Sequence, residues 1–387
     1  MTFQGKMNTS VVMAMSGGVD SSLAAVLLKE QGYDVIGMTM HLWDFESYGG
    51  NIHHDTACCS VESMNDARAV CKSWNIPHYV LDLREEFEKE VVENFVAEYL
   101  SGRTPNPCVL CNQKMKWNML YQRAVQLGAS HLATGHYARI ESSPDENGRY
   151  ALKRAVDNNK DQSYFLWILT QDQLKHTLFP IGSMTKNQTR ALAKKYGLKT
   201  VDKCESQEIC FIPDNDYRRF LEDVMTRTRL SNHHKDEIGT PSHMRAGPIK
   251  DRSGNVIGTH HGYPFYTIGQ RKGLGIAAGK PLYVTEIDEK ENTVYVGSDE
   301  DLYEHSLTAT ELNWISISKP KGPLRCTAKI RYRHVPAGAT LTPAAEDSVS
   351  LRFDIPQRAI TPGQSVVFYD GDIVLGGGII ERSAQEA

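Results

Sequence analysis

The chain has 387 residues, enough for two or three domains with ordinary hydrophobic cores. Apolar residues make up 40 % and charged residues 23 %, as in soluble globular proteins, and no run of about eighteen uncharged apolar residues exists to span a bilayer. The formal net charge of −4, averaged over the whole chain, argues against a nucleic-acid partner, and the polar first ten residues resemble no secretory leader, so the expected location is the cytoplasm.

Residues 10–140 read as alternating strands and helices. Val11–Met15 predicts a strand, and Ser22 to Gln31 a helix that Gly32 closes. Tyr33–Leu42 predicts a second strand, and Ser60 caps a helix to about Trp74. Pro77–Leu83 is a third strand, Glu85–Leu100 an amphipathic helix, Gln113–Leu127 another helix, and His131–Ile140 a fourth strand. This alternation implies right-handed crossovers and a parallel sheet. Ile140–Val156 then reads as a hairpin about Asn147-Gly148. Thr185 and Gln188 form a capping box for a helix to about Tyr196, and Asp214 caps a helix through Met225. Residues 226–262, rich in His and Gly, predict a linker or flexible insertion. The β-branched runs Pro281–Ile287, Thr293–Val296, Leu324–Arg333, Ser348–Phe353, Ser365–Tyr369 and Ile373–Ile380 predict one or two small β modules.

Ser16-Gly17-Gly18-Val19-Asp20-Ser21-Ser22 joins the first strand to the first helix. Glycines let the backbone approach an anion, and the free N–H groups of the helix start face it with the dipole behind them. Ser16, Ser21 and Ser22 add hydroxyl donors, and Asp20 could orient a donor or help hold a metal ion. The plainer reading is a tight turn with an N-cap. The loop lacks the Lys of the Walker-type P-loop and is not G-x-G-x-x-G. It resembles the S-G-G-x-D-S pyrophosphate loop of the ATP-pyrophosphatase superfamily, which splits ATP into AMP and pyrophosphate.

Eight cysteines in a long chain without a leader point to catalysis or metal binding rather than a disulfide framework. Cys108 and Cys111 lie in the Pro-rich segment Thr104–Asn112. Cys111 falls just before the expected Gln113 helix, near Lys114 and Lys116, a setting that lowers a thiol pKa. Glu205-Ser-Gln-Glu-Ile209-Cys210-Phe211 supplies a distant third thiol. A zinc knuckle is the competing reading, but the spacing of Cys204 and Cys210 is wider than the two to four residues usual for zinc pairs. Cys58 and Cys59 read as loop residues, Cys71 as core and Cys204 as a spare thiol. The pairs His53/His54, His233/His234 and His260/His261 read as solvated loops, and Phe165 and Trp167 as core. Gly371-Asp372 and Gly376-Gly377-Gly378 read as turn chemistry.

Across nearly its whole length the chain resembles one family, the tRNA-specific 2-thiouridylases. The resemblance rests on Ser16–Ser21, Met40, Thr104–Asn112, Ala133–Arg139, Lys160–Tyr164, Ile209–Pro213, Gly269–Gly275, Arg331-Tyr332 and Thr361–Ser365, in the family's order. It implies an α/β, parallel-sheet, adenine nucleotide alpha-hydrolase-like (PP-loop) catalytic domain over 1–213. A central linker/β domain assisting tRNA binding would follow over 214–300, and a C-terminal β-barrel domain over 301–387. It further implies that Ala14, Met15, Ser16, Gly17, Gly18, Val19, Asp20, Ser21, Met40 and Gly135 hold ATP, with Mg²⁺ accompanying it. Cys210 would carry a persulfide, and Cys111 would be the partner nucleophile, able to form a transient disulfide with Cys210. Asn106, Pro107 and Cys108 would meet the target base. His136, Lys160, Asp161, Gln162, Arg331, Tyr332 and Gln364 would contact tRNA. The implied partners are glutamate, glutamine and lysine tRNAs, modified at the wobble uridine, and a persulfide donor such as a cysteine desulfurase or relay protein. No membrane partner is implied.

The chain departs from the family at Cys108, where many members carry Asp. Cys108, Cys111 and Cys210 together raise the alternative of a [4Fe–4S] cluster with one open iron carrying the sulfide. Two other readings compete. A small-molecule synthetase of the same superfamily would not need Cys111 and Cys210, and a tRNA-binding or sulfur-carrier protein would not need the ATP loop.

The charge itself is unevenly spread. Residues 99–140 contain Arg103, Lys114, Lys116, Arg123 and Arg139 and no acid. Residues 312–345 contain Lys319, Lys321, Arg325, Lys329, Arg331 and Arg333 and again no acid. Two acid-free stretches, one around the cysteine pair, predict a phosphate backbone lying across both modules.

Overall fold

The computed structural model describes residues 9–44, 61–142, 148–203, 209–231, 245–344 and 347–381. Cys58, Cys59, Cys204, His53, His54, His233, His234, the Ser60 cap and Asn147 lie outside the described residues. Among those described, no helix is long and apolar enough to cross a membrane.

The first sheet begins with β1 (Ser10–Ala14), β2 (Asp34–His41), β3 (His78–Asp82) and β4 (His131–Ala133). The chain then leaves it for a hairpin, β5 (Ala138–Ser142) and β6 (Tyr150–Arg154), and returns for β7 (Thr177–Leu178). The order is β3-β2-β1-β4-β7, every pairing parallel. Helices cover both faces, which is why Val11, Val12 and Met13 form one unbroken, fully buried run. Successive side chains alternate: Val11 and Met13 pack with the helices Val19–Glu30 and Val61–Ser73, while Val12 packs with Val109, Trp117 and Leu120 of helix 107–126. The strand order reverses at β1, so the crevice outside the carboxyl ends of β1 and β4 is the position where such sheets bind ligands.

Several expectations are corrected. The single strand His131–Ile140 is two strands in two sheets, broken at Thr134–Tyr137. The break places Gly135 against the first turn of the Val19–Glu30 helix, where a Cβ would lie 2.8 Å from Ser21 N. The Gln113 helix starts earlier, at Pro107, a residue that suits the first helical position because it needs no N–H donor there. Asn106 caps it, accepting from Val109 N at 3.4 Å. Cys111 is therefore inside the helix rather than before it, and Cys108 occupies the first turn. Asp216, not Asp214, accepts the free N–H groups of Arg218 and Arg219, and helix Tyr217–Ser231 runs past Met225. Asp214 instead pairs with the Arg219 guanidinium.

Residues 226–262 are not a plain linker, because they contain β8 (Gly247–Lys250) and β9 (Val256–His260). These join β10 (Tyr283–Asp288) and β11 (Thr293–Gly297) in a second sheet ordered β10-β11-β8-β9. His260 is fully buried there, its Nε2 at 2.9 Å from Asn292 O, so it is a structural residue and not a solvated one.

The last six strands are β12 (Tyr303–Trp314), β13 (Leu324–Lys329), β14 (Ala337–Pro343), β15 (Val349–Arg358), β16 (Ser365–Asp370) and β17 (Ile373–Glu381). They close as β12-β15-β14-β13-β16-β17-β12, all antiparallel, so this barrel leaves no free edge among them. Gly376, Gly377 and Gly378 are mid-strand, not in a turn. Each admits a close neighbour: a Cβ would lie 2.3 Å from Asn313 O, 2.7 Å from the Trp167 ring and 2.7 Å from Thr310 O respectively. The β5–β6 hairpin extends the barrel sheet, with β6 pairing to β17 at Leu152↔Val374. A piece of the first module is thus built into the third, and the segment between them, 160–169, is held in the seam.

Candidate active site

The loop Ser16–Ser22 is built by its two glycines and three serines. Gly17 has φ +73°, and a Cβ on it would lie 2.1 Å from Ser63 O of the neighbouring helix. Ser16 N and Oγ both lie within hydrogen-bond reach of Ser21 Oγ (3.2 and 3.1 Å), and Ser22 Oγ donates to Gly18 O at 2.8 Å. No side chain of the N-cap Gly18 covers the first N–H groups of the helix. Asp20 is bound by a residue the sequence did not single out: Lys186 Nζ donates to both carboxylate oxygens at 2.9 and 2.8 Å. Tyr137 hydroxyl donates to Asp20 Oδ1 at 2.8 Å. Lys186 opens the helix whose capping box was legible, but nothing in the sequence links it to a loop 166 positions away. Ala14 ends β1 and Met15 follows it, Met40 lies near the end of β2, and Gly135 follows β4, so the expected ATP residues gather at the sheet's carboxyl edge.

Cys111 and Cys210, about a hundred residues apart in sequence, lie on the border of one core cluster. Both are half-buried, and both pack against the same apolar cluster, which Met40 also touches. Cys210 is held by its neighbour Phe211, whose buried ring meets Phe87 and Phe95 edge-on at 5.5 Å each. Cys108 is exposed. Among the described residues no group of three or more His, Cys, Asp or Glu is arranged to hold a metal ion, so the three thiols do not form the ligand set of the cluster alternative. Cys71 and Cys326 are different: burial pushes both thiols up to about 11, which leaves them unreactive at neutral pH.

The cations near Cys111 have their own partners. Lys114 pairs with Glu90 at 3.2 Å. Lys116 donates to Asn112 Oδ1 at 2.8 Å and lies 3.4 Å from His136 Nε2. An ammonium only donates, so His136 accepts at Nε2 and carries its proton on Nδ1, directed at Thr134 Oγ1 at 2.6 Å. Burial and Lys116 hold the His136 pKa well below the usual imidazole range. Asn112 Nδ2 donates in turn to Phe165 O at 3.0 Å, so the chain of contacts runs from the nucleotide edge through the cysteine helix to the seam.

Of the residues expected to touch tRNA, several face inward. Asp161 is 2 % exposed, and its oxygens accept from Arg154 Nε, Ala155 N, Ser163 N and Ser163 Oγ at 3.1 Å each. Gln162 Oε1 accepts from Tyr137 N at 2.9 Å. Gln364 Nε2 donates to Thr104 O and Pro105 O at 3.0 Å each, tying the cysteine segment to the barrel. Tyr332 is half-buried, its ring 4.5 Å from that of Phe165, which is itself partly buried against the core. Arg331 donates to Arg358 O.

The acid-free stretches are not acid-free in space. Arg103 pairs with Glu98 and Glu381, Arg139 with Asp372, and Arg325 with Asp354. The uncompensated charge is narrower than the sequence implies.

Three family models match: the tRNA methyl transferase HUP domain over 9–214, the tRNA methyl transferase PRC-barrel domain over 236–298, and the aminomethyltransferase beta-barrel domain over 304–380. The tRNA-specific 2-thiouridylase MnmA of Heliobacterium modesticaldum is 51 % identical over 378 residues, covering 97 % of this chain and 94 % of its own. That of Clostridioides difficile is 48 % identical, covering 97 % of this chain and 99 % of its own. Among solved structures, a 4-thiouridine synthetase–RNA complex with bound ATP aligns with a TM-score of 0.37 at 16 % identity, over 57 % of this chain and 52 % of that one.

Proposed function

The chain belongs to the tRNA-specific 2-thiouridylase family, and from that membership we infer how its site converts a wobble uridine to 2-thiouridine. It is an ATP-using tRNA-uridine 2-sulfurtransferase. The C2 oxygen of uracil is a poor leaving group, so it first attacks the α-phosphorus of ATP. Pyrophosphate departs, and the oxygen can then leave as part of AMP. The terminal sulfur of a Cys210 persulfide adds to C2, and AMP is expelled. The Cys111 thiolate attacks Cys210 Sγ and breaks the persulfide S–S bond, leaving sulfur on C2 and a Cys111–Cys210 disulfide. Alternatively Cys111 attacks first, and the hydrosulfide released adds to C2. Both routes end in the same disulfide, which an external dithiol reduces with two electrons.

The observation that supports this reading is that Cys111, Cys210 and Met40 all pack against one apolar cluster. The loop Ala14–Ser21 with Met40 and Gly135 would hold ATP. Mg²⁺ would arrive with the phosphates as its main ligands, because Asp20, the loop's lone acid, is already held by Lys186 and Tyr137. Asn106, Pro107 and Cys108 would face the target base. Cys108, in the first helical turn, sits where the helix start favours negative charge, as the family's Asp would carry. Lys160, Arg331 and Tyr332 would meet RNA directly, while His136, Asp161, Gln162 and Gln364 shape the surface through the hydrogen bonds described. The substrates would be glutamate, glutamine and lysine tRNAs in the cytoplasm, with a persulfide donor upstream.

The test is nucleoside mass spectrometry of tRNA after reaction with ATP and a persulfide donor. Cys111→Ser and Cys210→Ser should each cut 2-thiouridine by about a thousandfold or more. Both variants still forming it would overturn the scheme. Pyrophosphate release that needs no tRNA would point instead to a small-molecule synthetase.

A further inference from the structure

Lys329 ends β13 and is 5 % exposed. Its ammonium lies over two aromatic rings, 5.9 Å from the Tyr164 centroid and 5.6 Å from that of Tyr332. Among the described residues nothing accepts a hydrogen bond from its Nζ. Asp161 acts on it only through space, because that carboxylate is already filled by Arg154, Ala155 and Ser163. Burial pulls the Lys329 pKa down.

A buried ammonium with no hydrogen-bond acceptor, two ring faces and a carboxylate that acts only through space destabilises the fold, since cation–π contacts return part of the lost hydration. Such a group persists where a ligand completes it. Its surroundings indicate which ligand. Tyr164 hydroxyl donates to Ser365 O at 2.8 Å, and the preceding Gln364 Nε2 donates to Thr104 O and Pro105 O, so Lys329 stands one ring away from the strand start tied to the segment that would face the target base. Arg331 follows two residues on, and His334 Nδ1 is buried with no hydrogen-bond partner. The surroundings of Lys329 are cationic, with Arg331 and Lys329 both acting on His334, and they lie on the barrel side of the seam with the cysteine segment.

We propose that Lys329 binds a phosphate of the tRNA strand beside the target uridine, with Tyr164 and Tyr332 as the walls of that site. This rests on the tRNA reading above. The phosphate supplies the acceptor that Nζ lacks, and the low-polarity walls strengthen the charge-assisted bond.

The experiment measures tRNA affinity over a salt series, with melting temperature, for wild type, Lys329→Met and Lys329→Arg. Lys329→Met should melt higher than wild type, bind tRNA roughly tenfold more weakly, and show a log–log salt slope smaller by about 0.7. Lys329→Arg should keep the wild-type slope. Lys329→Met with wild-type affinity and slope overturns the proposal. So does a lower melting temperature with equal loss of binding in both variants, which marks a structural lysine. Unchanged affinity with a lower turnover rate also overturns it, by moving the contact to the base. A wild type that binds tRNA with no salt dependence overturns both this proposal and the functional reading.

Discussion

Lys186 and Lys329 are both buried, and they sit in opposite electrostatic settings. Lys186, at the nucleotide loop, donates to both oxygens of Asp20. Lys329, in the seam with the barrel, rests between tyrosine faces. The nucleotide region is internally compensated: its cation, its acid and its hydroxyls already satisfy one another. The seam is not. The difference matches two kinds of substrate. ATP brings a metal ion to balance its own charge and needs a preformed cradle. An RNA strand is met by positive groups left open for its phosphates.

The most severe way to break the compensated side is Gly17→Ala. The new methyl group would meet the Ser63 carbonyl at 2.1 Å with φ at +73°, and backbone on both sides leaves it nowhere to go. Together strain and overlap should cost about 3–5 kcal/mol and lower pyrophosphate release at least a hundredfold. A stable, active Gly17→Ala protein would show that the loop does not need this close approach. Lys186→Met comes next. It strips the partly buried Asp20 of its cation and should cost about 2–4 kcal/mol, visible as a lower melting temperature. Lys329→Met should move the melting temperature the other way. If both variants shift it in the same direction, the contrast between the regions fails.

The histidines give a smaller, pH-dependent signal. Burial lowers the pKa of His78, His136, His260 and His334 below the usual 6.5. The unfolded chain therefore takes up protons near 6.5 that the folded chain refuses. Stability should fall as pH drops below that value, by about 1.4 kcal/mol per pH unit for each such proton. Denaturant titrations at several pH values between 7 and 5 would measure the slope. His136→Gln should flatten it by about one proton. An unchanged slope would mean that His136 is protonated in the native state.

Much of the fold was legible because its signals are local. Apolar runs marked β1 to β3, and the Thr185–Gln188 pair marked its helix. The errors arise where distant chain decides. Gly376–Gly378 read as turn residues and Gly135 as mid-strand, but the role of each is set by what packs on it. β12 was missed because half of it faces solvent, so polar residues interrupt its apolar pattern. Cys111 and Cys210 are singled out by resemblance and motif, and they border one core cluster in the fold. Lys186 goes unnoticed in the sequence, and Lys116 and Lys329 read there only as charges in acid-free stretches, because a lysine's meaning depends on which carboxylate, ring or phosphate lies across from it.

The same limit governs the charge pattern, and the smallest expected effect tests it. Arg325 and Arg331 lie in one acid-free stretch and count equally there. In space they differ. Arg325 is well exposed and meets Asp354 through two hydrogen bonds of 2.8 Å, so its charge is already balanced. Arg331 is half-buried beside Arg358 and Lys329, with its donated bond ending on a neutral carbonyl. Arg331→Ala should lower the salt slope of tRNA binding by about 0.7, while Arg325→Ala should leave slope and melting temperature unchanged within error. Equal slopes lost in both variants would mean that the RNA reads the linear stretch of charge. A loss confined to Arg331 would mean that it reads only the positive groups the folded chain leaves unanswered.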